Sequence, residues 1–190
     1  MLKIAITGNI AAGKSTVEDI LKAKGYKVFD TDEIAHTILE NSPKVISEFK
    51  NYDILTDGKI DRKKLGNVVF ADSAELKKLE QIIHPKVKQE ILNIFENTYD
   101  VVFISVPQLF EAGFENLFDK IIYITANETL RMKRLMKRNT LTEKEAIARL
   151  KAQEPDINKI QKCDFVIKND GTQTELIDEI NKILQNQQIV

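Results

Sequence analysis

The chain contains a single cysteine, Cys163. That excludes an intrachain disulfide and a cysteine-based metal site, and it fits a reducing compartment. Cys163 itself reads as a small buried hydrophobe. No apolar run approaches the roughly 18 residues that a membrane-spanning helix needs. The N-terminus enters an apolar strand directly, without the basic and apolar regions of a signal peptide. A cytoplasmic protein with no membrane partner is therefore expected. An excess of one charge is also missing: 28 basic and 29 acidic residues leave a net charge of −1. Such a balance gives no electrostatic reason to expect a nucleic-acid partner. Repeats and low-complexity segments are absent too. What remains is a chain of 190 residues, 43% hydrophobic and 30% charged, long enough for one domain with a sizeable core and room for an inserted subdomain.

The stretch Gly8-Asn9-Ile10-Ala11-Ala12-Gly13-Lys14-Ser15-Thr16 has the G-x-x-x-x-G-K-[ST] form of a phosphate-binding P-loop. Its context agrees. Leu2 to Ile6 is a short apolar strand, and Thr16 to Lys24, with Val17, Ile20 and Leu21 on one face, is a helix ended by Gly25. Gly8 and Gly13 lack the Cβ that would block a tight loop, so the backbone N–H groups of Ala11 to Thr16 can converge on phosphate oxygens at the positive end of the helix. Lys14 is expected at the β- and γ-phosphates of ATP, and the Ser15 hydroxyl is expected to help hold Mg²⁺.

Tyr26 to Phe29 forms a second strand, closed by Asp30-Thr31-Asp32. The carboxyl ends of parallel strands are where ligands bind in open α/β sheets, and Asp30 and Asp32 share a face if the chain stays extended. Either could instead cap the helix expected near Glu33. A carboxylate here could accept the proton of an attacking hydroxyl or orient it. From residue 34 to 99 the pattern is helical, with no confident strand, and reads as an acceptor-binding insertion. His84 precedes Pro85 and is therefore biased towards extended geometry, out of the helical series; a structural role and a substrate contact both remain open.

Asp100 to Pro107 is an almost continuous apolar run, as in a strand buried on both faces. It lacks the carboxyl-end aspartate that ATPases and GTPases use to hold metal, which points to a small-molecule kinase. Leu109 and Phe110 suit an organic pocket wall or ordinary side-chain packing. Lys120 to Thr125 is a fourth strand. Asn127 or Glu128 then opens a helix carrying Arg131, Arg134 and Arg138 on roughly one face, and Thr142 with Glu145 is spaced as a capping box for the next. Residues 127–153 can thus form a lid that closes arginines over a triphosphate, or a solvated charged face. Asp164 to Lys168 is a fifth strand, followed by the Asn169-Asp170-Gly171 turn and a terminal helix. Gln185 to Gln188 reads as a polar tail. Alternating strands and helices imply an α/β fold with a five-stranded parallel sheet covered on both faces.

Together these residues resemble the dephospho-coenzyme A kinase family over nearly the whole chain: the P-loop, Val28 to Ala35, Asp61 to Leu65, Leu79 to Pro85, Val106 to Glu111, Arg138 and Asp164 to Gly171. Gln108 and Lys168 depart from the residues common in that family. The resemblance implies a three-layer P-loop kinase that uses MgATP to phosphorylate the ribose 3′-hydroxyl of dephospho-coenzyme A, the last step of coenzyme A synthesis. It implies Asp32 as base or hydroxyl-orienting carboxylate and Arg138 as a lid arginine on the transferring phosphoryl group. It also implies that His84 with Leu109, Phe110 and Glu111 belongs to the acceptor region, and that Asn169 to Gly171 lies near the adenine. The alternative is another P-loop kinase acting on a nucleotide or small metabolite. A GTPase would carry an N-K-x-D guanine-reading motif, which this sequence lacks, and a nucleotide-dependent binding module would show no turnover.

Overall fold

A computed structural model of the chain describes residues 1–40, 42–98 and 100–186, with nothing stated of the Asn186 side chain. In chain order its elements are β1 (Leu2–Thr7), α1 (Lys14–Ala23), β2 (Lys27–Asp30), α2 (Thr31–Glu40), α3 (Pro43–Glu48), β3 (Leu55–Thr56), β4 (Lys59–Ile60), α4 (Arg62–Ala71), α5 (Ser73–Glu96), β5 (Val101–Ser105), β6 (Lys120–Thr125), α6 (Glu128–Asn139), α7 (Glu143–Lys151), α8 (Asp156–Ile160), β7 (Phe165–Lys168) and α9 (Gln173–Asn186). Contacts divide the chain into two units, Met1–Phe29 with Thr98–Val190, and Asp30–Asn97.

The first unit is built on a parallel sheet with strand order β2-β5-β1-β6-β7. Strand β1 lies inside it, parallel to β5 through pairs such as Ile4 with Phe103, and parallel to β6 through pairs such as Ala5 with Ile121. Interior strands are buried on both faces, which is why their sequences run apolar almost without interruption. Ile4, Ile6, Phe103, Ile122, Ile124 and Ile167 share one core with Val17 and Leu21 of α1 and Leu176 and Ile180 of α9. The period of two along each strand sends Ala5 and Tyr123, also fully buried, to the opposite face. Chain order and strand order part company at β1: its connection leads to β2 at the sheet edge, and the chain later returns to β6 on its other side. That is the switch point at which α/β sheets bind ligands, beyond the carboxyl ends of the strands.

The second unit is helical, and it begins at Asp30 rather than at residue 34. Val45, Phe49, Ile54, Ile60, Leu65, Val69, Ile83, Val87, Ile91 and Phe95 are its buried hydrophobics. Asp61 caps α4 by accepting from the N–H groups of Lys63 and Lys64, and Asp72 caps α5 through Ala74 N–H. Two expectations fail here. First, a small antiparallel hairpin, β3 with β4, interrupts the helices; Asp57 and Gly58 turn it with φ of 51° and 75°, the positive pair that an Asp-Gly hairpin turn uses. Second, His84 and Pro85 lie inside α5. Proline removes one N–H, but Ile83, Val87, Ile91 and Phe95 bury one face of α5 on both sides of it, and that burial holds the helix together through the local bias.

At the C-terminus, α9 extends through Gln185, so the polar tail does not begin there. Gln187 and Gln188 lie outside the described residues. Thr172 and Glu175 form a capping box at its start: Thr172 N–H donates to the Glu175 carboxylate at 2.7 Å, and Glu175 N–H donates to the Thr172 hydroxyl at 3.3 Å.

Candidate active site

The loop from β1 to α1 departs from regular backbone at Gly8, Ala11 and Gly13, whose φ angles are 151°, 61° and 102°. Gly8 approaches β6 so closely that a Cβ would overlap the carbonyl of Ile124, and a Cβ on Gly13 would overlap the amide of Asn169. Gly8 is therefore required by backbone contact as well as by φ, and Gly13 by its φ. Gly13 is the N-cap of α1, which starts at Lys14, two residues before the expected Thr16, so the helix's first N–H groups open onto the loop. Ala12 is buried and Ser15 is exposed, while Ala11, Gly13, Lys14 and Thr16 are half-buried. Lys14 Nζ donates to the Gly8 carbonyl at 2.8 Å, which folds the side chain back over the concave side of the loop.

Side chains from the far end of the chain hold this loop in place. Asn169 Nδ2 donates to the Ala12 carbonyl at 2.9 Å. Arg134 donates to the same carbonyl at 3.4 Å and to Asn169 O at 2.9 Å. Arg131 Nε donates to Ile10 O at 3.0 Å, and its Nη1 meets Asp156 Oδ1 at 3.2 Å. Gln153 Oε1 accepts from Ile10 N–H at 2.7 Å. Asp156 also accepts from Asn9 Nδ2, the Tyr123 hydroxyl and the Thr125 hydroxyl. Burial first, then the neighbouring Asp156 carboxylate, pushes the Tyr123 hydroxyl far above its ordinary pKa, so it stays a neutral donor. Ile10 and Ala11 pack on a small cluster formed by Leu135, Ala146 and Leu150 of α6 and α7.

This bracing corrects the reading of the basic helix. Arg131 and Arg134 share a face, but Arg131 is buried and both guanidiniums are spent on loop carbonyls. Arg138 is exposed, with Nε donating to Asn139 Oδ1 at 3.0 Å. The Thr142–Glu145 capping box forms as spaced. Asn169 likewise braces the loop from behind with its side chain. Gly171 is exposed in the following turn.

The segment after β5 divides. Leu109 is fully buried, so side-chain packing accounts for it and it offers no face to an acceptor. Phe110 is half-buried, with the Lys162 ammonium 5.3 Å from its ring centroid. Glu111 Oε1 accepts from Lys159 Nζ at 2.6 Å. Cys163 is half-buried rather than fully buried, and burial pushes its thiol up to about 11.

In the helical unit, β2 ends at Asp30 and helix begins at once with Thr31, so Asp30 and Asp32 do not alternate along an extended chain. Asp30 Oδ1 accepts from Asp32 N–H at 2.7 Å, the bond of a helix cap. Asp32 is exposed in the first turn of α2. His84 is half-buried on α5, and α2 and α5 are in contact.

The sequence pattern does not single out Tyr123, Gln153, Asp156 and Lys159, nor the bracing role of Asn9 within the P-loop. Their partners lie up to 150 positions away, and no local spacing encodes such a contact. A lysine at position 159 between Ile157 and Ile160 was the one available hint.

A phosphate-binding loop at the carboxyl end of an interior strand, opening onto a helix that starts with Lys14 and Ser15, defines a P-loop kinase. Comparison with known proteins narrows the class. Residues 2–175 match the family model described as Dephospho-CoA kinase. The Dephospho-CoA kinase of Lactobacillus johnsonii is 40% identical over 96% of each chain. Among solved structures, TT1252 from Thermus thermophilus aligns with a TM-score of 0.88 and 32% identity over 98% of this chain and 97% of its own. The dephospho-CoA kinase from Campylobacter jejuni aligns with a TM-score of 0.75 and 36% identity over 96% and 95%. The chain belongs to the dephospho-CoA kinase family.

Proposed function

We propose that the protein transfers the γ-phosphoryl group of ATP to the ribose 3′-hydroxyl of dephospho-coenzyme A, giving coenzyme A and ADP, the last step of coenzyme A synthesis. The observation that carries this reading is the family match over residues 2–175, a span that includes both the P-loop and Asp32.

In this mechanism the N–H groups of residues 11–16 and the Lys14 ammonium take the phosphate oxygens, Lys14 exchanging its Gly8 carbonyl for the β- and γ-phosphates. Because Lys14, the loop carbonyls and the braces behind them are already ordered, little reorganisation accompanies charge development. Asp32 is the carboxylate that orients or deprotonates the acceptor hydroxyl, and Arg138 neutralises charge on the transferring group. His84, Phe110 and Glu111 serve the acceptor, and Gly171 the adenine. Mg²⁺ would supply charge neutralisation at the phosphates. The residues suit it: the exposed Ser15 hydroxyl is a single protein donor, and no cluster of three or more His, Cys, Asp or Glu that could hold a metal occurs among the described residues. Magnesium held mainly by water and phosphate needs no such cage. Among the described residues no helix is long and apolar enough to cross a membrane, and the single cysteine suits a cytoplasmic setting.

An ADP-coupled assay with dephospho-coenzyme A tests the reading. ADP release that depends on dephospho-coenzyme A, with the product phosphorylated at the 3′ position, is expected. Release at the same rate without that acceptor would overturn it.

A further inference from the structure

Lys159 lies on α8 with only 4% of its side chain exposed. Its ammonium makes two bonds, to Asn9 Oδ1 at 3.2 Å and to Glu111 Oε1 at 2.6 Å. Asn9, itself 3% exposed, is held at its other end as well, because Nδ2 donates to the Glu154 carbonyl at 2.9 Å and to the Asp156 carboxylate. The second residue of the P-loop is thus gripped from both sides by residues of one short stretch, 154–159. Glu111, by contrast, keeps 46% of its side chain exposed.

Burying an ammonium is costly, and an apolar residue of similar size would often stabilise the fold as well or better. What an apolar residue cannot do is set the direction of two oxygen acceptors at once. We infer that Lys159 is a positioning residue for the transfer reaction: it fixes Asn9 of the phosphate-binding loop and Glu111 of the segment after β5 in a single arrangement, so donor loop and Glu111 act as one unit. The inference rests on the reading of the loop as the ATP site. Asn9 and Glu111 are joined through Lys159, so their contributions to catalysis are coupled, and the coupling passes through that ammonium.

A double-mutant cycle on the full-length protein tests this. Asn9→Ala and Glu111→Gln are each expected to lower kcat/KM for dephospho-coenzyme A roughly 3- to 10-fold, with the double variant far less impaired than the product of the two losses. In a Lys159→Met background either change should then cost at least about 2-fold less than it does in the wild-type background, while Lys159→Arg, which keeps the charge and can donate to both oxygens, should retain more of the rate than Lys159→Met. Losses that multiply independently in the wild-type background would overturn the inference, even if Lys159→Met melts early, because a merely structural lysine lowers stability without linking the two sites. Should Lys159→Met fail to fold, the cycle in the wild-type background decides alone. If the wild-type protein binds ATP but shows no turnover that depends on dephospho-coenzyme A, the functional reading fails instead, and the same cycle is read from ATP dissociation constants measured by calorimetry, with the same criterion.

Discussion

The sheet unit and the helical unit present their functional residues in opposite ways. In the sheet unit the phosphate loop is defined by backbone: Gly8, Ala11 and Gly13 hold positive φ, and Asn169, Arg134 and Arg131 donate to its carbonyls. In the helical unit Asp32 and His84 stand on ordinary helix, and only the identity of the side chain marks them. The difference teaches where substitution is tolerated. A loop made by backbone geometry accepts Ala11 and Ala12 at its variable positions but no side chain at Gly8 or Gly13. At position 32, on the proposed mechanism, a carboxylate alone serves the chemistry.

Three experiments would break or sharpen that contrast. The largest effect is expected from Phe49→Ala. Phe49 is fully buried in the helical unit, and emptying such a site costs about 3–5 kcal/mol. Hydrogen exchange should show protection falling more within residues 30–97 than in the parallel sheet; equal loss throughout would mean that the two units unfold as one.

Next, Lys14→Ala and Asp32→Asn separate donor binding from acceptor chemistry. Lys14→Ala should remove most transfer and weaken ATP binding. Asp32→Asn keeps the shape, loses the charge and should lower kcat by about 10²-fold or more with ATP affinity near normal. Its stability should change little, since the cap bond to this helix comes from Asp30. Normal transfer by a folded Asp32→Asn protein would remove the catalytic role.

The smallest effect concerns Cys163, which sits in the sheet unit and, as the single cysteine, reports on that unit alone. Its thiol is raised to about 11, so the folded form holds its proton where the unfolded chain has already lost it. Stability is therefore expected to fall as pH rises from the ordinary thiol value towards about 11. At pH 8 iodoacetamide should alkylate the folded protein roughly 10²-fold more slowly than the unfolded chain, because thiolate is the reacting species. Equal rates would show that the sheet unit opens readily around β7.

Local signals were read well where one short stretch carries the whole constraint. Lys120–Thr125 is the fourth strand of the sheet with the bounds expected, and the Thr142–Glu145 box caps α7. The Asp57-Gly58 turn and the Thr172–Glu175 box are equally local signals, the first set inside an otherwise helical pattern and the second at the turn before α9. Pro85 is a different case. Its local bias is real, yet the apolar face that runs along α5 outweighs it.

By itself the sequence determined the P-loop, the strand and helix that flank it, the alternation that makes a parallel sheet, and the order of motifs that places the chain in its family, because each motif is a short local pattern and their order is the order of the chain. Only the tertiary structure decided which charged residues serve as scaffold. Arg131, Arg134, Asn169, Asp156 and Lys159 converge on the loop from positions more than 120 residues away. Leu109 is taken into the core for a related reason: a side chain's job is set by which polar groups and apolar surfaces the fold brings within reach, and that reach is not written in spacing along the chain.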